Sequence, residues 1–280
     1  MDWKDYEETI YYYLTWLYPE VQILYNQKII GSLSGSNHQV DILVDKTIAG
    51  NPTRIIIDSE SYKDVKIDTK DVESFVDLLK DCKAQYGLLT TTKGFTESAI
   101  NIAYSRTDID VDILDYETIK QSDGIGVIIQ NGNCSALITA PFGWVIDKER
   151  NHPDFLAAIY QRDLNIKSAY EKREWIYVNI ILKSETINSF DDFLLDQANH
   201  IKMEFPDSKI EYDTRNFDKV NKIIFREITN ENKSHRAITG FIDFDDFIFY
   251  AALITPSEFF NKNIRKLEYI IDRTLPGGIM

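Results

Sequence analysis

Three consecutive isoleucines, Ile55 to Ile57, run directly into Asp58 and Glu60. An apolar run that serves both faces of a strand belongs in the middle of a covered sheet. Carboxylates at the end of such a strand are costly unless they are solvated, paired or holding a cation. The preceding segment, HQVDILVD (38–45), is also strand-like, and Gly50-Asn51-Pro52 makes the turn between the two. Helix and strand alternate through the rest of residues 1–120. Tyr6, Ile10, Tyr13, Leu14 and Leu17 recur at helical spacing, residues 21–30 are rich in β-branched and aromatic side chains, and Gly31 to Asn37 is turn-rich. Val72, Phe75, Val76, Leu79 and Cys82 form one helical stripe, with Asp68 or Thr69 as the cap. A strand over 86–91, a helix from Thr96 to Ser105 and a strand over 109–114 follow. This order predicts an α/β fold: an antiparallel meander continued by parallel strands, giving a mixed sheet flanked by helices.

The second half has a different rhythm. Residues 121–126 (QSDGIG) read as a linker, which divides the chain into domains 1–120 and 127–280. The runs GVIIQ, SALITA, FLAAIYQ and EWIYVNIIL alternate or are apolar throughout. Further strands are expected at 209–213, 222–228, 236–243 and 246–254, with helices over 189–204 and 257–273. Many strands with two amphipathic helices predict an α+β sandwich domain. Asp243, Asp245 and Asp246 interrupt two hydrophobic stretches and read as a hairpin turn.

Composition narrows the function classes. Thirty-one Lys and Arg against 45 Asp and Glu leave a formal charge of −14, which argues against a general nucleic-acid coat or a basic membrane-surface protein. No window approaches the ~18 apolar residues of a bilayer span. The opening Met-Asp-Trp-Lys-Asp is acidic where a signal peptide is basic. Two cysteines, Cys82 and Cys134, suit a reducing compartment, so a cytoplasmic protein with no membrane partner is expected. The four histidines lack zinc spacing, no glycine-rich phosphate loop is present, Cys82 reads as core, and His38 reads as a loop or surface residue.

The chemistry concentrates in the meander. Gln39 and Asp41 lie two apart on one strand, and Asp58 and Glu60 two apart on the next, so each pair shares a face. Neighbouring strands lie roughly 4.8 Å apart, so in register Asp41 reaches Asp58 and Glu60. Such a trio takes up protons or binds a divalent ion; oxygen ligands with room for water and phosphate suit Mg²⁺ or Mn²⁺. The bland alternative is a set of solvated strand-end acids.

Several segments together carry a resemblance: the helix with Tyr6-Glu7, then KIIGSLSGSNHQVDILV (28–44), RIIIDSESYKDVKI (54–67) and DVESFVDLLKDCKAQYGLLTTTKGFTESAINIA (71–103). In this order they resemble the Mrr-type restriction endonuclease family of the PD-(D/E)XK nuclease superfamily. The resemblance implies a restriction-endonuclease-like fold, a Mg²⁺ or Mn²⁺ cofactor and DNA as partner. It makes Asp41 the first metal-binding aspartate and puts Asp58 where glutamate is usual. Gln39 lines the site, and Glu7 is the acidic residue borne by the helix. Glu60 departs from the pattern, standing where most members carry a lysine. Lys63 and Lys70 are candidates to replace that lysine, against the plainer reading as surface lysines. Lys63, Lys66, Lys70, Thr91 and Lys93 lie in segments suited to phosphates, a thin basic stripe that implies weak, salt-sensitive binding. PFGWVID (141–147), the helix at 189–204 and NKNIRKLEYIIDR (261–273) faintly resemble PsbP-like domains, which implies binding, sensing or oligomerisation with a second copy or another protein. Two functions follow: a DNA endonuclease of restriction or phage defence with a D…DXE site, or a degenerate nuclease fold serving as a binding or regulatory module.

Overall fold

A computed structural model describes residues 7–8, 10–12, 15, 22–48, 51–60, 65–115, 126–141, 143–147, 154–162, 164–183, 189–215, 217, 219, 221–230 and 234–277. The chain divides into two compact units, Met1–Asp123 and Gly124–Met280. No helix among the described residues is long and apolar enough to cross a membrane.

The first unit has a five-stranded sheet in the order β1 (Ile23–Ile30), β2 (Asn37–Ile48), β3 (Asn51–Glu60), β4 (Tyr86–Thr91) and β5 (Asp110–Asp115). The first three strands form an antiparallel meander, and β3, β4 and β5 run parallel. That change of sense follows from chain economy. Only six residues separate β1 from β2 and two separate β2 from β3, whereas β3 returns to β4 through helix α1 (Thr69–Asp81), and β4 to β5 through helix α2 (Glu97–Ser105). Asp68 caps α1 with a reciprocal box: its carboxylate accepts from Lys70 and Asp71 N–H, and Asp71 accepts the Asp68 N–H. Thr96 caps α2 through the Ala99 N–H. Val72, Phe75, Val76 and Leu79 pack on Leu43, Ile56 and Leu89 of the sheet, with Cys82 in the same core. Gly87 lets α1 come close, because a Cβ there would collide with Leu79 and Phe75.

The second unit has a seven-stranded antiparallel sheet, β11-β12-β13-β14-β10-β9-β8, and a three-stranded one, β15-β7-β6. Its strands are β6 (Gly126–Asn131), β7 (Cys134–Thr139), β8 (Trp144–Asp147), β9 (Ala157–Gln161), β10 (Trp175–Leu182), β11 (Lys209–Asp213), β12 (Lys222–Thr229), β13 (His235–Asp243), β14 (Phe247–Pro256) and β15 (Leu275–Gly277). A short helix, α3 (Ile166–Lys172), is capped by Asn165. Helix α4 (Phe190–Glu204) sets Phe190, Phe193 and Leu194 against Phe241 and Ile248. Helix α5 (Phe260–Arg273) sets Ile264, Leu267, Ile270 and Ile271 against Phe225, Ile242, Phe249 and Leu253. Phe241 and Ile242 are neighbours on a strand and point to opposite faces, so the large sheet is covered on both sides. Phe244 to Asp246 form the hairpin between β13 and β14, as the three aspartates indicate.

Candidate active site

The register of the meander determines the site. β2 and β3 pair with Ile42 opposite Ile57, which sets Asp41 opposite Asp58 one step further along. Regular pairing stops there, and the Ser59 N–H donates to Asp41 Oδ2 at 2.8 Å. On its other side β3 continues along β4, with Ile56 beside Gly87, Asp58 beside Leu89 and Glu60 beside Thr91. Gly87 faces α1, so alternation puts Ile56, Asp58 and Glu60 on that same side of the sheet. The carboxylates therefore sit at the carboxyl end of β3, where strand sense changes, the usual place for a site in an open sheet.

The electrostatics mark a strained pair. Burial and the neighbouring Asp41 and Glu60 charges push the Asp58 carboxyl from its ordinary 3.8 up to about 8. Burial also raises Asp41, opposed by the Ser59 N–H and by a hydrogen bond from Asp58. The proton thus resides on Asp58, which donates to the Asp41 carboxylate. Glu60 acts on Asp58 through its charge. Glu7 approaches from the N-terminal helical residues: its carboxylate accepts the Tyr25 hydroxyl at 2.6 Å, and both burial and Asp41 raise it.

Other expected residues are distributed as follows. Gln39 is exposed and donates to Asn26 Oδ1 at 2.8 Å rather than toward the carboxylates. Lys66, Lys70 and Lys93 are exposed on the two loops and the α1 start around this end of the sheet. Those loops are tied together, since the Ile67 N–H donates to Gly94 O and the Thr96 N–H to Ile67 O. Lys63 lies outside the described residues. Thr91 is a correction: its side chain is fully buried, and its hydroxyl accepts the Lys93 N–H at 3.2 Å. It supports the lysine loop and does not present itself to a phosphate.

One structural element escaped the sequence reading. Asp81, at the end of α1, organises the whole 31–38 segment: it accepts Leu33 N–H at 2.7 Å, Ser34 N–H at 3.0 Å and the Ser34 hydroxyl. His38 Nε2 lies 2.6 Å from its second oxygen. These bonds hold the Asp81 carboxyl well below the usual range. His38, expected on a loop or the surface, is thus half-buried and hydrogen-bonded to Asp81. The serines and glycines of GSLSGSN were visible in the sequence, but nothing local pointed to Asp81 as their acceptor.

Among the described residues no group of three His, Cys, Asp or Glu side chains is arranged to hold a metal ion. The hydrogen-bonded pair Asp41–Asp58 nevertheless fits Mg²⁺ or Mn²⁺. Mg²⁺ is commonly held by one or two carboxylates, with water and substrate phosphate completing the shell, and two carboxylates that hydrogen-bond each other otherwise need a proton.

Residues 1–122 match the family model described as restriction endonuclease, the Mrr catalytic domain. The mixed sheet of the first unit is consistent with the restriction-endonuclease-like fold of that family, and residues 1–122 are similar to its Mrr-type catalytic domain. No curated protein matches the chain. Among solved structures, the chain is similar to a protein of unknown function, AF1548, at 13% identity and a TM-score of 0.34; 42% of this chain is covered and 65% of that one. It is also similar to cyanobacterial PsbP (CyanoP) from Synechocystis sp. PCC 6803, at 10% identity, a TM-score of 0.36 and coverage of 50% and 85%. A third is a protein of unknown function, PA94 from Pseudomonas aeruginosa, at 11% identity, a TM-score of 0.33 and coverage of 55% and 99%. The chain spans about two thirds of the length of the first of these, 65%.

Proposed function

We propose that the first unit is a Mg²⁺- or Mn²⁺-dependent endonuclease that hydrolyses DNA phosphodiester bonds, in restriction or phage defence. The observation that carries this reading is the opposed Asp41–Asp58 pair, in which Asp58 keeps its proton to about pH 8. Replacing that proton with a doubly charged ion relieves the same repulsion. Asp41 and Asp58 would hold the ion, and Glu60, two residues on along the same face, would take a proton from the attacking water. Once bound, such an ion supplies Lewis-acid polarisation of the phosphate and a lowered pKa for water. Lys66, Lys70 and Lys93 would meet the phosphodiester backbone on the loops beside the carboxylates. Cytoplasmic location and a binding, sensing or oligomerising role for the second unit belong to the same proposal.

A second reading, a nuclease fold kept for binding or regulation, is favoured by one observation: Glu60 stands where most members carry a lysine. Cleavage of supercoiled plasmid with Mg²⁺ or Mn²⁺ separates the two. Nicking by the native chain that Asp41→Ala abolishes supports the nuclease. DNA retention without any metal-dependent nicking supports the binding module.

A further inference from the structure

Arg226 of the second unit is a buried cation that makes no salt bridge among the described residues. Arg226 on β12 lies between Tyr212 of β11 and Thr239 of β13, and the row continues through Ala252 of β14 to Tyr177 of β10. Directly paired residues share a sheet face, so these side chains rise together. Arg226 is only 6% exposed, and its Nε and Nη1 are buried without a hydrogen-bond partner. The guanidinium lies 4.9 Å from the centre of the Phe241 ring. Burial pulls its pKa down, opposed by the Tyr212, Tyr177 and Tyr250 hydroxyls, and the guanidinium hydrogen-bonds the Tyr212 hydroxyl.

Several other cations of this unit meet a carboxylate or a carbonyl. Arg215 meets Glu268, Arg236 meets Glu227, and Lys183 meets Asp243. Lys219 donates to the carbonyls of Ile271 and Thr274 at 2.8 and 2.7 Å. A guanidinium is never discharged, and an uncompensated buried charge is expensive. The Phe241 ring and a tyrosine hydroxyl return only part of that cost. A sheet that merely needed packing at position 226 would be more stable with an apolar side chain there.

The same row carries aromatic side chains at its far end. Small side chains, Thr239 and Ala252, separate the cation from Tyr177, whose ring meets that of Tyr250 edge-on at 6.2 Å between centres. Small residues between a cation and an aromatic pair leave a floor with one charged end and one aromatic end. Tyr212 lies on the edge strand, 46% exposed, and its hydroxyl donates to Leu194 O of α4 at 3.2 Å.

We infer that Arg226 anchors a binding site for the oxyanion group, phosphate or carboxylate, of a small ligand whose body lies toward Tyr177 and Tyr250. The site is independent of the nuclease reading, and its test does not read cleavage.

The test is thermal unfolding of the full chain titrated with inorganic phosphate and, in a parallel arm, with benzoate, each against chloride at matched ionic strength. A saturable rise in Tm with phosphate identifies a phosphate-bearing ligand, and one with benzoate a carboxylate. No saturable rise in either arm overturns the site. Arg226→Met, shown by circular dichroism to be folded, is expected to lose the response, and a retained response overturns the proposal. If that variant does not fold, Tyr212→Phe decides. Removing the competing hydroxyl is expected to lower the titration midpoint by about threefold or more, and an unchanged midpoint overturns the assignment.

Discussion

Asp41 and Asp58 lie one residue beyond the Ile42–Ile57 pair of β2 and β3 and hydrogen-bond each other side chain to side chain, with burial raising both carboxyls. The adjacent amide of Ser59 bonds to Asp41 at 2.8 Å, so the pair is fixed by the main chain and cannot rotate apart freely. Everything proposed for the first unit derives from that arrangement.

The first consequence is a stability that falls as pH rises. Asp58 ionises near 3.8 in the unfolded chain and at about 8 in the folded one. Between those values the folded state holds a proton that the unfolded state has released, so raising the pH through this window favours unfolding. Asp58→Asn keeps a hydrogen-bond donor toward Asp41 and removes the titration. Denaturant midpoints of the native chain are expected to decline from about pH 5 to about pH 8, and those of the variant to stay flatter. At the upper end the variant is expected to be the more stable by about 1 kcal/mol or more, the worth of roughly one pKa unit.

Gly31 and Asp81 form a tight contact that permits a second test. A Cβ on Gly31 would fall onto the Asp81 carboxylate. That carboxylate cannot swing away without abandoning Leu33, Ser34 and His38. Gly31→Ala and Asp81→Ala are therefore both expected to lower Tm clearly. The double variant should lose less than the sum of the two, because the alanine at 31 no longer meets a carboxylate. Full additivity would show that the alanine at 31 does not act through the Asp81 carboxylate.

The exposed lysines give a third. If Lys66 and Lys93 each neutralise one phosphate, alanine at either is expected to weaken DNA binding uniformly across sequences. Each is also expected to reduce the slope of log affinity against log salt by about one. Thr91→Val, at a buried position whose hydroxyl serves Lys93 N–H, is expected to leave the salt slope unchanged. Binding titrations at several salt concentrations with one duplex measure both.

The strands and helices of the first unit were legible because their signals are local. The Ile55–Ile57 run fixed β3, and the stripe from Val72 to Cys82 fixed α1. The acid at position 68 fixed where that helix begins. The acidic positions could be read as neighbours because turn length and side-chain alternation constrain a meander. What stayed hidden depends on contacts distant in sequence. Asp81 looked like one more acid on a polar helix face, yet its partners lie more than forty residues upstream. Thr91 carried a hydroxyl at a strand end, and only the packing of the sheet decides that it points inward. Arg226 was silent for the same reason, since its neighbours come from four other strands.

The claim that Asp41 and Asp58 form a divalent-ion site is tested most directly by titrating Mn²⁺ into the full chain and following free Mn²⁺ by electron paramagnetic resonance. One saturable site is expected, tighter at pH 8 than at pH 6 because the ion must displace the Asp58 proton, and lost in both Asp41→Asn and Asp58→Asn. Mn²⁺ bound with undiminished affinity by folded Asp41→Asn, or not bound by the native chain, would contradict it.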